Sequence, residues 1–348
     1  MARHPDSGRR ELSKALDSSP IGRYSGAALV VRGPEVIFQA ARGLADRERS
    51  LPNRVDTCFA IGSLTKQFTA AAILRLEMEG RLSTDDPIRH HLGDLPGAKN
   101  DATIHHLLTH TAGLIRAGTG WVTTTRAAFV QAMKDTPMES PPGTRCRYSN
   151  AGFGLLGAII ENVGGEPYDE VLASRFFRPL GMTHSGCVDH TTWLPDSNQA
   201  AGHRMQRRSD GGLGPTERVV PGTADRAGDW STRPAAGVTS TVGDLHRWEV
   251  ALAGERILSR EATRRMFSPW SRMPGRSGHY AYGWCIERSR RGEATIFHPG
   301  RHEGFQAAYI RYPDRGVAII LLANVMVDDG DAGWHHDIQH RIEAILFG

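Results

Sequence analysis

Ser63-Leu64-Thr65-Lys66 sets a hydroxyl and an amine three residues apart, in a chain where only four of the 42 basic residues are lysines. A serine hydroxyl is a poor nucleophile until a neighbouring base takes its proton, and that base must be able to exist uncharged. Lysine can; arginine cannot. On a helix, residues three apart share one face, which brings the hydroxyl and the amine within reach of each other. A helix start serves both groups, because the positive end of the dipole disfavours the ammonium form and favours an oxyanion near the Ser63 N–H. Taken alone, Lys66 reads equally well as a surface helix lysine.

Two further groups bear on that choice. Tyr148-Ser149-Asn150 is the only Tyr-x-Asn in the chain and precedes a helical pattern. A phenol can shuttle protons between nucleophile and leaving group, and an amide can hold a substrate carbonyl or position the lysine. The alternative is a buried tyrosine followed by a helix-capping asparagine. His298-Pro299-Gly300 ends an apolar run, where Gly300 permits close approach of another backbone or a ligand. A turn with an incidental histidine explains that triplet as well.

The elements that must position these residues follow from periodicity. GAALVVRG and EVIFQAARG, split by Gly33-Pro34, read as a β-hairpin. From Ser63, the stripe Leu64, Phe68, Ala72 and Leu76 predicts a helix stopped by Gly80. Helices are also expected in TIHHLLTHTAGL, FGLLGAIIENVGG, PYDEVLASRFFRPLGM, TSTVGDLHRWEVAL (capped by Ser240 or Thr241) and the terminal WHHDIQHRIEAILF. Residues 203–235, rich in Gly, Pro and charge, read as a long irregular excursion rimming a pocket. The late β runs are YGWCIER, ATIFHPG, GFQAAYIRY and GVAIILLAN. The expectation is an α+β fold: an antiparallel sheet built from both termini (1–60 and 235–348), flanked by helices, with an inserted mainly helical region over 61–234.

Composition narrows the function. The formal charge of +4 is dispersed among 38 acids, which argues against a nucleic-acid surface. The first 25 residues show no secretory signal pattern and no apolar run is long enough to span a bilayer, so a cytoplasmic protein without a membrane role is expected. Cys58, Cys146, Cys187 and Cys285 form no CxxC pair and are expected as free thiols. The helical pairs His106/His110 and His336/His340 lack a third ligand, so no metal and no cofactor are expected. No serine lies in a GxSxG setting, which disfavours a lipase-type nucleophile elbow.

Ser63-Leu64-Thr65-Lys66, then Tyr148-Ser149-Asn150, then His298-Pro299-Gly300 resembles the serine β-lactamase and penicillin-binding-protein-like superfamily, in particular its class C-like and esterase branch. The surrounding blocks, from FAIGSLTKQFTAAAILRLEMEGRLSTDDPI to HPGRHEGFQAAYIRYPDRGVAIILLAN, extend the likeness over roughly residues 25 to 325. The resemblance implies an active site between the sheet and the helical region. It implies Ser63 as the acylated nucleophile, Lys66 and Tyr148 sharing acid-base work, and Asn150, His298, Gly300 and Arg301 as substrate-binding positions. The oxyanion hole would be the backbone N–H groups of Ser63 and Arg301.

Two departures shape the substrate expectation. The third motif usually begins with lysine in β-lactamases, whereas His298 is mostly neutral at pH 7. Arg301 is large and charged where relatives often carry something small. The expected activity is acyl transfer from a small-molecule ester, amide or thioester to water, or to a nucleophilic acceptor. A β-lactamase, a D-amino-acid peptidase and a catalytically silent binding protein of the same fold are the alternatives.

Overall fold

All seven residues of the strand Val317–Ala323 are buried, which is why its sequence runs apolar without alternating. Its two faces serve different cores. Ala318, Ile320 and Leu322 belong to the larger cluster, and Val317, Ile319, Leu321 and Ala323 to a second one on the opposite side. The computed structural model describes residues 5–17, 24–115, 125–187, 198–207, 213–219, 230–327 and 334–348.

The central sheet has eight strands: β1 (Gly26–Arg32), β2 (Glu35–Arg42), β3 (Ser271–Arg272), β4 (His279–Tyr280), β5 (Cys285–Arg288), β6 (Ala294–His302), β7 (Phe305–Tyr312) and β8 (Val317–Ala323). Their order is β3-β4-β5-β6-β7-β8-β1-β2, with every pair antiparallel. The N-terminal hairpin joins the C-terminal strands through β1 and β8, registered from Gly26 opposite Ala323 to Arg32 opposite Val317. The sheet is therefore built from the two ends of the chain, as the β runs at both ends suggest.

The outer face is covered by α1 (Pro5–Leu16) and the terminal helix, Leu12 and Leu16 packing with Ile338 and Ile342. The inner face carries α2 (Thr65–Met78), on which α3 (Asn150–Gly164) packs in turn, and α4 (Val242–Ala253). Thr241 caps α4 by accepting the Asp244 N–H. The sequence suggests one apolar stripe on α2, yet residues 65–74 of that helix are all buried, including Lys66, Gln67 and Thr69. Burial on every side makes the helix the centre of the inner layer.

Three stretches differ from expectation. Within TIHHLLTHTAGL only Ile104–Leu108 is helical, because His110 adopts φ +58° and turns the chain away. Between Ala173 and Phe177 the expected helix widens into one π turn. Gly202–Arg207 and Leu213–Val219 pair as antiparallel strands, and the first also runs parallel to Val325–Val327. These strands lie inside the excursion read as irregular, and its residues 220–229 fall outside the described ones. A three-stranded sheet of Phe59–Ala60, Val238–Ser240 and Gly186–Cys187 adds further β structure beside the helices. Among the described residues no helix is long and apolar enough to cross a membrane, and the four cysteines are free.

Candidate active site

Ser63 lies in a 3₁₀ turn, Gly62–Leu64, that runs directly into α2. Two glycines fix that turn against β6. Gly62 has φ +53°, and a Cβ there would come within 2.5 Å of the Arg301 carbonyl oxygen and 2.6 Å of its nitrogen. A Cβ on Gly300 would lie 2.0 Å from the Ile61 carbonyl oxygen. Only hydrogen in place of both side chains allows this backbone-to-backbone contact. It brings the Arg301 backbone beside the turn that holds Ser63.

Lys66 is fully buried, whereas Ser63 is partly exposed. Its Nζ lies 3.0 Å from Ser63 Oγ, 2.8 Å from Asn150 Oδ1 and 2.8 Å from the Ala235 carbonyl oxygen. Burial pushes its pKa well below the usual lysine value. Two of the three partners are carbonyl oxygens, which only accept. A neutral amine donates its two N–H bonds to them and turns its lone pair toward the Ser63 hydroxyl. Tyr148 completes the line, donating its O–H to Ser63 Oγ at 2.8 Å. The chain of contacts therefore runs phenol to hydroxyl to amine, the order needed to polarise Ser63.

The supports of these groups are local. Ser149, not Asn150, caps α3: its Oγ accepts the Gly152 N–H and donates to the Ile115 carbonyl. With capping done by its neighbour, Asn150 is left to face Lys66. Ala235 is delivered by the short helix Arg233–Ala236, whose Pro234 packs so tightly on α3 that a Cβ on Gly157 would lie 2.1 Å from its ring. The Pro234 carbonyl accepts from Thr69, and the Val238 N–H donates to Thr65 Oγ1, tying this segment to α2 on both sides of Lys66. No motif in the sequence marks the Ala235 carbonyl, since any residue supplies one.

His298 is buried, with Nδ1 2.7 Å from the Pro299 carbonyl and Nε2 3.1 Å from the Tyr280 hydroxyl. The carbonyl only accepts, so Nδ1 holds the ring proton and Nε2 accepts from Tyr280. Burial, with Lys66 nearby, pushes its pKa down to about 3. The ring is neutral at pH 7, and both nitrogens are engaged inside the protein. The Arg301 side chain turns to the Val327 carbonyl at 3.4 Å. Of the residues singled out in the sequence, Ser63, Lys66, Tyr148 and Asn150 converge, Gly300 and Arg301 adjoin them through backbone, and His298 backs the wall behind Tyr148 at 6.1 Å between rings.

His106 and His110 do not act as a pair. His106 Nδ1 accepts the Thr103 N–H in a helix cap, while His110 packs on Tyr148. Among the described residues no group of three or more His, Cys, Asp or Glu side chains is arranged to hold a metal ion.

Comparison with known proteins bears on the family and the fold. PbpX of Bacillus subtilis (strain 168), named for penicillin binding, is 29% identical over 263 residues, covering 76% of this chain and 62% of its own length. Esterase EstB of Burkholderia gladioli is 34% identical over 182 residues, 46% of either chain. The chain thus spans less than two thirds of either relative. The crystal structure of a penicillin-binding protein from Bacillus halodurans is 27% identical and superimposes with a TM-score of 0.75, covering 99% of this chain and all of the other. The family model described as Beta-lactamase matches residues 14–341. The fold is accordingly of the β-lactamase/transpeptidase type, and the chain belongs to the Beta-lactamase family of serine hydrolases and penicillin-binding proteins.

Proposed function

We propose that the protein is a serine-dependent acyl-transfer enzyme that forms an acyl-enzyme on Ser63 from an ester, amide or thioester. The observation that carries this reading is the contact line from Tyr148 through Ser63 to a buried Lys66 whose other two partners can only accept. In acylation, Lys66 takes the hydroxyl proton as Ser63 Oγ bonds to the acyl carbon. The oxyanion forms between the N–H groups of Ser63 and Arg301, where each fixed donor is worth roughly a hundredfold or more in rate. As the tetrahedral species collapses, Tyr148 gives its proton to the leaving group and is reprotonated from Lys66. Deacylation runs the same transfers in reverse with water, an alcohol or an amine as acceptor. Asn150, with Oδ1 on Lys66, turns its NH₂ toward the substrate carbonyl.

The neutral, engaged His298 supports acyl donors that carry no carboxylate at that position, and so favours simple esters, amides and thioesters over penicillins. Resemblance to an esterase over part of the chain supports the same reading. The test is intact-mass analysis after incubation with alkyl esters, D-amino-acid amides, thioesters and a β-lactam, alongside a serine-directed phosphonate. The expected result is an adduct of one acyl group, absent in Ser63→Ala. A protein that takes neither acyl group nor phosphonate is a silent scaffold, and the reading is then wrong.

A further inference from the structure

The short helix Ile104–Leu108 is followed by Thr109, then by His110 in a left-handed conformation, φ +58°, uncommon for residues other than glycine. That turn places His110 across the Tyr148 segment. Its carbonyl accepts the Arg147 N–H at 2.7 Å. Its Nδ1 accepts the Ser149 N–H at 3.2 Å. The residues immediately before and after Tyr148 are thus both hydrogen-bonded to one histidine, whose ring also lies 4.4 Å from the Tyr148 ring, centroid to centroid. On its other sides the imidazole meets Tyr280 at 4.3 Å and Phe153 at 5.2 Å.

We infer that His110 is a positioning residue for the acyl-transfer site, holding the Tyr148 phenol on Ser63 by gripping the backbone on both sides of it. The inference rests on the function proposed above. A direct role in proton transfer is excluded by the surroundings. With Nδ1 accepting, the ring proton sits on Nε2, which is buried with no hydrogen-bond partner among the described residues. Desolvation, reinforced by Lys66, holds the imidazole far below its usual pKa, so it stays neutral at pH 7. What His110 supplies is geometry: a Tyr148 oxygen displaced by about 1 Å loses its alignment with Ser63 Oγ, which costs on the order of a hundredfold in rate.

The experiment follows acylation of Ser63 by a short-chain alkyl ester through intact mass, with kcat, KM and thermal unfolding measured on each variant. His110→Ala is expected to slow acylation by about tenfold or more, through kcat and not KM. His110→Gly adopts the positive φ without strain and repeats the loss free of a backbone penalty. His110→Asn is expected to recover most of the rate, because its Oδ1 takes the place of Nδ1 as acceptor and asparagine tolerates this backbone conformation. In a Tyr148→Phe background, His110→Ala should cost less than about twofold more, since its action passes through the phenol. Equal losses in the two backgrounds, or unchanged acylation in folded His110→Ala and His110→Gly, overturn the inference alone. A wild-type protein that is never acylated removes the acyl-enzyme reading and this inference together.

Discussion

The chain buries two of its lysines, at opposite ends of two different helices. Lys66 sits in the first turn of α2 and Lys99 beneath the last turn of the helix Arg126–Asp135. Lys99 Nζ donates to the carbonyls of Met133 and Lys134 at 2.9 and 2.8 Å. Burial lowers both pKa values, but Asp135 opposes the shift at Lys99, and a helix C-terminus welcomes a cation there. At Lys66 the helix end repels the cation, and the third partner is a hydroxyl. Both amines lie inside the protein, but Lys66 is the more deeply desolvated and has a hydroxyl among its partners, whereas Lys99 caps a helix end; under the proposed function that difference separates a base from a cap.

Exchanging the lysines for arginine sharpens this contrast most. Lys66→Arg keeps the charge but removes the proton acceptor, so ester turnover should fall by roughly a thousandfold or more. Lys99→Arg should leave turnover within about twofold. Comparable losses in both variants would erase the distinction drawn here. Tyr148→Phe comes next, with an expected loss of roughly a hundredfold in kcat measured on the same ester.

The pH profile gives the third effect. If Lys66 is the base, as proposed, acylation needs it unprotonated, so the rate should rise about tenfold per pH unit through the depressed lysine pKa and then level off. The linked stability has the same sign. Between the depressed pKa and the ordinary value of 10.5 the unfolded chain holds the extra proton, so unfolding free energy rises with pH across that window. Denaturant titrations at several pH values check it, and Lys66→Met should flatten the slope. The smallest effect is expected from Gly157→Ala, which drives Pro234 away from α3 and displaces the Ala235 carbonyl. It should cost about 1–3 kcal/mol of stability and lower kcat only several-fold.

The convergence of Ser63, Lys66, Tyr148 and Asn150 was legible in the sequence because lysine and tyrosine are scarce in this chain and these four stand at fixed spacings near helix starts. The sheet was legible from its apolar runs, β8 most clearly, since a strand covered on both faces needs no polar residues. What supports the site was not. The Ala235 carbonyl is backbone and has no signature, and its placement depends on Gly157 and Pro234 meeting across 77 positions of sequence. His110 reads as one of a helical pair with His106 until a positive φ breaks the helix between Leu108 and Thr111. A glycine placed after it, Gly113 in Thr111-Ala112-Gly113, hints at the early stop. His298 looks like a group offered to substrate, and only the Tyr280 hydroxyl and Pro299 carbonyl reveal that its nitrogens are taken. The strands at 202–207 and 213–219 are masked by arginine, glycine and proline, whose propensities point to loop.

With four lysines in the chain, ¹³Cε-lysine NMR resolves each side chain, and Lys66→Arg assigns the signal of interest. The account predicts that Lys66 titrates well below the ordinary 10.5, with a midpoint matching the acid limb of Ser63 acylation. A Lys66 that titrates at or above that ordinary value, while acylation proceeds at neutral pH, would contradict it.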